Sequence, residues 1–204
     1  MDLSLIMSYI VAGLLIIILL TVGYNVNYSG NELTLQESQK NKISEIIEVI
    51  NYDMPKIGYN NNALPDTLIL SADSTSIQFY ANIDNSNDGS IELVTWEFTN
   101  SAVAATDNPN DYYLTRTVDG TTTTISAGIV NFTINYFDEL GSTVPLNVPI
   151  NASTNKALID SIVQIELILE SESAVGLQYR SASNKSYLSS SWTKRFSPMN
   201  LNVN

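Results

Sequence analysis

The chain has 204 residues, 21 Asp plus Glu against 9 Lys plus Arg, a net charge of −12, and neither Cys nor His. Without Cys there is no disulfide, thiolate metal site or thiol nucleophile, and without His the usual base near neutral pH and the commonest metal ligand are missing. An acidic chain with three Arg lacks the basic footprint that binding nucleic acid requires, so no nucleic-acid partner is expected.

After Asp2 no charge occurs until Glu32. Residues 3–24 are mostly Leu, Ile and Val, and about 20 such residues span a bilayer core as a helix. A cleaved secretory signal is the alternative. Against it, no Lys or Arg precedes the run, the run is long for a signal's apolar segment, and no small-x-small cleavage site follows. Residues 1–25 are therefore read as a retained transmembrane helix with Leu3, Leu5, Gly13, Leu14, Ile16, Ile17 and Leu20 as packing residues. Residues 32–204 hold 20 acids and 9 bases and are rich in Asn, Ser and Thr. That composition suits an extracytoplasmic domain on a single-pass anchor in the inner membrane, or in an extracellular filament. Four Asn-x-Ser/Thr triplets start at Asn27, Asn131, Asn151 and Asn184. In so Asn- and Ser-rich a chain such triplets arise by chance.

Residues 26–59 form the next element. Ile43, Ile46, Ile47, Ile50, Met54 and Ile57 recur at steps of 3, 1, 3, 4 and 3, the stripe of an amphipathic helix that buries one side. Glu37, Lys40, Glu45 and Glu48 lie off it. Pro55 weakens the last turn and Gly58 suits a helix end. The gap 25–30 contains no proline, so the two helices are read either as one, with a kink or melted turn near Gly30, or as an anchor followed by a separate core helix.

From residue 60 to 204 the period changes to two. Strands are predicted over 67–70, 76–83, 91–98, 112–118, 125–137, 158–170 and 188–199. Ile77, Phe79, Ala81 and Ile83 alternate with polar residues, as do Val130, Phe132, Ile134 and Tyr136. Ile162, Ile165 and Leu167 alternate only with a slip, which predicts a bulge there. Asn87-Asp88-Gly89 and Asp119-Gly120 are hairpin signals, and Glu139-Leu140-Gly141 marks a further turn. Helices first and strands afterwards predict an α+β fold, with a long N-terminal helix packed on an antiparallel sheet.

Chemistry-bearing clusters are few. In residues 84–89, Asp84 and Asp88 with intervening amides suit a hard cation, making calcium the one cofactor candidate. The position expected to close the loop with Glu is Thr95, and a polar hairpin tip explains the same residues. Asp138-Glu139 and Glu170/Glu172 are read as a solvated face, since sequence neighbours on a strand point oppositely. No serine has an activating base, and no phosphate-binding glycine loop occurs. Trp96, Trp192 and the 11 Tyr are read as core and cross-strand residues. An enzyme is not expected.

Three stretches carry a family resemblance: the apolar run around Gly13-Leu14-Leu15, the segment Ile50-Asn51-Tyr52-Asp53-Met54-Pro55-Lys56-Ile57-Gly58-Tyr59, and Tyr113 to Gly120 followed by Ile125 to Asp138. Together they resemble the type IV pilin-like proteins, in particular the minor pilins and pseudopilins of the PilW type. The resemblance implies a pilin-like fold and a structural subunit of a type IV pilus or type II secretion-type apparatus. Its partners would be other pilin-type subunits and the membrane. Family precursors carry a leader ending in Gly, and the mature chain has Glu at its fifth residue. With Gly13 aligned to the family's helix glycine, Met1 falls at the mature start and Leu5 where Glu is expected. On that alignment the chain looks like a mature form lacking the assembly glutamate, or a precursor truncated or diverged at its start. The alternative is a membrane-anchored surface domain for adhesion or ligand binding.

Overall fold

The computed structural model describes residues 3–59, 67–86, 90–177 and 185–202. The chain divides into two compact units, residues 1–38 and 39–204. The first helix, α1 (Leu3–Asp53), runs 51 residues, and no melted turn interrupts it at Gly30. The boundary between the units falls after Ser38, within α1. The reason is the stripe itself: Gln39, Ile43, Ile46, Ile50 and Asp53 are the buried residues of α1, and their steps of 4, 3, 4 and 3 keep one helix face on the sheet. The α-helix stops before Pro55, whose ring cannot continue it. A 3-10 turn, Met54–Lys56, follows, so Met54 and Ile57 join the core from beyond the α-helix.

The second unit is α+β. Eight strands follow: β1 (Ile69–Ala72), β2 (Ser76–Ala81), β3 (Glu92–Ala102), β4 (Tyr112–Val118), β5 (Thr121–Phe137), β6 (Ile150–Asn151), β7 (Gln164–Glu172) and β8 (Ser189–Phe196). They form one antiparallel sheet in the order β6-β1-β2-β3-β4-β5-β7-β8. The short β6 and a helix, α2 (Lys156–Asp160), are not legible as elements in the sequence. Ile77, Phe79 and Ala81 alternate into the core as expected, while Ile83 lies beyond the end of β2. Asp119-Gly120 makes the β4–β5 hairpin with both residues left-handed, at φ 46° and 79°, the conformation a two-residue turn of this kind requires. The Asn87-Asp88-Gly89 turn lies outside the described residues.

Two readings of periodicity are corrected. Residues 158–170 are not one strand: 156–160 form α2, capped by the Asn155 side chain accepting from Leu158 N–H. Ile162 therefore precedes β7, and the β5–β7 ladder runs unshifted from Phe137↔Gln164 to Asn131↔Glu170. The bulge falls instead in β5, between Ile129 and Asn131 opposite Ser171 and Glu170. An extra residue flips the parity of a strand. Ala127 and Ile129 are buried before it and Phe132, Ile134 and Tyr136 after it, leaving Val130 off the core face.

The bulge lets β5 serve two partners, β4 along its first half and β7 along its second. The sheet curls there. The β1–β2 turn comes back onto β5: Ile134 N–H donates to Ser74 O at 2.8 Å, and the Tyr136 hydroxyl lies 3.0 Å from the carbonyl oxygens of Asp73 and Ser76. Trp96 stacks on Phe132 at 6.5 Å in the core so formed. Gly128 sits at the bend with φ 73°. A β-carbon on it would lie 2.0 Å from the Glu172 carbonyl oxygen. Gly120 is equally left-handed but has open space around it. Gly120→Ala is therefore expected to cost about 1–2 kcal/mol, the left-handed penalty alone, and Gly128→Ala clearly more. Denaturant unfolding of the full chain in detergent, followed by tryptophan fluorescence, measures both. Equal losses would show that crowding at the bend is not what selects glycine.

Candidate functional site: an exposed apolar helix and a buried ionic clamp

In the first unit, apolar side chains point outward all round α1. Leu3, Leu5, Leu14, Ile16, Ile17 and Leu20 are all exposed, and a β-carbon on Gly13 would meet nothing within 4 Å. A helix that is apolar all round requires an apolar solvent or apolar partners. Its backbone groups are satisfied within the helix, the condition for lying in lipid. The Thr21 hydroxyl donates to Ile17 O at 2.8 Å, so this polar side chain is satisfied internally as well. Among the described residues this is the one helix long and apolar enough to cross a membrane.

In the second unit, the packing residues Ile43, Ile46, Ile50, Met54 and Ile57 are buried, and Ile47 is partly buried against them. On the same stripe, one turn after Ile50, stands Asp53, which is fully buried. Its carboxylate is held from two adjacent strands. Trp96 Nε1–H donates to Oδ2 at 2.9 Å. Arg116 donates from Nε to Oδ2 at 2.6 Å and from Nη2 to Oδ1 at 2.9 Å. Trp96 and Arg116 are register partners across β3 and β4, which aims both donors at one point. The bond to Asp53 holds the Arg116 guanidinium charged, its pKa raised further despite partial burial. A buried carboxylate with a forked guanidinium and an indole N–H is a satisfied ion pair.

Asp53 and Arg116 both lie in the stretches that carry the family resemblance, but they belong to different stretches and no motif links them as a pair. A signal for the pair does exist. Asp53 is in phase with the helix stripe, and Arg116 is in phase with buried Leu114 on β4. Two opposite charges, each on a core-facing position of a different element, predict a buried pair.

The helix end is tied down further. Gly58 N–H donates to Tyr80 O at 2.8 Å, and Asn200 Nδ2 donates to Ile57 O at 3.2 Å. Lys56 reaches the loop proposed for calcium. Its ammonium donates to Asn85 Oδ1 at 2.7 Å and Ile83 O at 3.2 Å, and lies 3.8 Å from the centre of the Tyr52 ring. Asp84 Oδ1 accepts from Ser86 N–H at 2.8 Å, and Glu92 accepts from Ile83 N–H at 2.6 Å. Asp88 lies outside the described residues. One oxygen each of Ile83, Asp84, Asn85 and Glu92 is thus engaged by a lysine or by a backbone N–H group. No group of three or more acidic side chains that could hold a metal ion occurs among the described residues. The loop joins the helix end to the sheet.

One more buried carboxyl gives no sign of itself in the sequence. Asp111 is fully buried beside the β5 bend, and burial raises its pKa above the ordinary carboxyl value. The Thr106 hydroxyl, the N–H groups of Gly128 and Ile129 and the charge of Lys42 act the other way. No protein-family model, curated protein or solved structure matches this chain.

The clamp sets a measurable cost. Asp53→Leu and Arg116→Met are each expected to destabilise the domain by about 3–5 kcal/mol, since each strands a buried charge. The double variant should lose less than the sum. Chemical denaturation of the full chain gives the cycle, and additive losses would mean that the two side chains are not energetically coupled.

Proposed function

We propose that the chain is a structural subunit of a pilin-like assembly, a minor pilin or pseudopilin of a type IV pilus or type II secretion-type apparatus. In this reading it is held in the membrane by residues 3–24, with its strand domain outside the cytoplasm. The observation that carries the reading is a single helix, α1, whose first part is apolar and uncovered and whose last part is docked on an antiparallel sheet. An anchor for an independent surface domain needs only the first part. An assembly subunit needs both, because the apolar surface that binds its neighbours must be coupled to the part displayed. The buried clamp at Asp53 supports the same reading by fixing the helix end.

With Gly13 aligned to the family's helix glycine, Leu5 stands where the family has its glutamate. Leu5, half exposed in the first turns of α1, offers no charge to a neighbour's terminal amine. Such a subunit fits an accessory or terminal position better than the bulk of a filament. In this reading the subunit's work is packing.

The chain has no native Cys, so Ile16→Cys and Leu20→Cys each introduce a unique thiol. In native membranes, thiol crosslinking is expected to trap the chain with other pilin-type subunits, identified by mass spectrometry of the linked band. Products confined to monomer, from thiols shown to be reactive, would favour a plain anchor.

A further inference from the structure

Of the four Asn-x-Ser/Thr triplets, the one at Asn184 lies outside the described residues. The remaining three differ in local structure. Asn27 lies in the middle of α1, where residues two apart point to different sides, so the Ser29 hydroxyl and the Asn27 amide cannot act together. Asn131 is half-buried within β5; the Thr133 hydroxyl donates to its Oδ1 at 3.0 Å, but its Nδ2 is already engaged, donating to Glu170 at 3.3 Å.

Asn151 is different. It is exposed at the end of β6, where residues 152–154 form a turn. Its Oδ1 accepts both from the Ser153 hydroxyl at 2.7 Å and from Ser153 N–H at 2.9 Å. Two donors on one amide oxygen draw electron density from it and acidify the amide N–H. Nδ2 itself donates to no group among the described residues. β6 is also a terminal strand, paired on one side with β1, and Asn151 is its exposed residue. An attached saccharide would shield that sheet edge, a place where strands otherwise invite pairing with other chains.

We propose that Asn151 is an N-glycosylation site, taking its sugar from a lipid-linked glycosyl phosphate. The side-chain nitrogen bonds to the anomeric carbon, and the carbon–oxygen bond to the carrier phosphate breaks. The amide proton passes to a base of the transferase, and the phosphorylated lipid leaves. This rests on the placement of the strand domain outside the cytoplasm, where such transfer would occur.

The experiment uses the full chain recovered from its native membrane. Cleavage after glutamate separates residues 140–166, which carry Asn151, from residues 98–139, which carry Asn131. Most of the first peptide is expected to bear an added saccharide mass, and the second none. Ser153→Ala should abolish the addition and Ser153→Thr should keep it; the backbone hydrogen bond of the turn survives in both. Protease added outside intact spheroplasts reports the domain's location separately. An unmodified 140–166 peptide from a domain that this protease digests overturns the proposal while leaving the membrane reading standing. A domain shielded from the protease overturns both.

Discussion

The Asp53 carboxylate is the point on which the second unit turns. A charged group with no exposure is tolerated only where every lone pair that matters has a donor. Here one carboxylate takes the indole N–H of β3 and the guanidinium fork of β4, which are register partners. Apolar contacts alone would let the helix slide along the sheet by one turn at small cost, because the isoleucine stripe repeats. The clamp forbids that slip, since a one-turn displacement leaves the carboxylate, the arginine and the tryptophan all unpaired. The stripe supplies the attraction, and the clamp supplies the register.

The same division between attraction and register runs through the sheet. Alternating Ile77, Phe79 and Ala81 on one side and Phe132, Ile134 and Tyr136 on the other fill the core. What places them opposite each other is a few polar and glycine positions. These are the Tyr136 hydroxyl against the Asp73 and Ser76 carbonyls, and Gly128 under the Glu172 carbonyl. Lys56 does similar service for the 83–85 loop, where an ammonium takes oxygens whose spacing in the sequence suits a metal ion.

Periodicity explains what is legible in the sequence. The helix stripe, the hairpin at Asp119-Gly120 and the span of β4 are local patterns, each encoded within a few residues. The bulge is not, because parity read from residues 130–136 fits a strand of either register. The flip shows only when Ala127 and Ile129 are known to face inward. β6 is two residues long and α2 five, too short to show a period. The clamp joins residues 63 positions apart in the chain; helix and strand phase mark each charge as core-facing, but no local pattern says that the two meet. The apolar helix is the opposite case: its uniformity over residues 3–24 is itself the signal.

The curl of the sheet has a consequence for how the domain closes. β1 and β6 lie at one end of the strand order and β7 and β8 at the other, with β5 next to β7. The chain leaves β5, adds β6 to the far edge and returns to β7 beside β5. In a flat sheet that excursion would cross the intervening strands twice. The contacts from Ser74 to Ile134 and from Leu146 to Tyr136 bring the far edge alongside β5, so both connections stay short. The closure is also late. A chain emerging N-terminus first presents the β1–β2 turn well before its partners Ile134 and Tyr136, since Asp73 and Tyr136 are 63 positions apart. Until then the helix stripe and the first four strands have an open core. Long-range closures of this kind fold slowly. The interval in which the domain is most exposed to mispairing therefore lasts beyond the passage of β5, since β7 has still to add Ile165, Leu167 and Leu169 to the core.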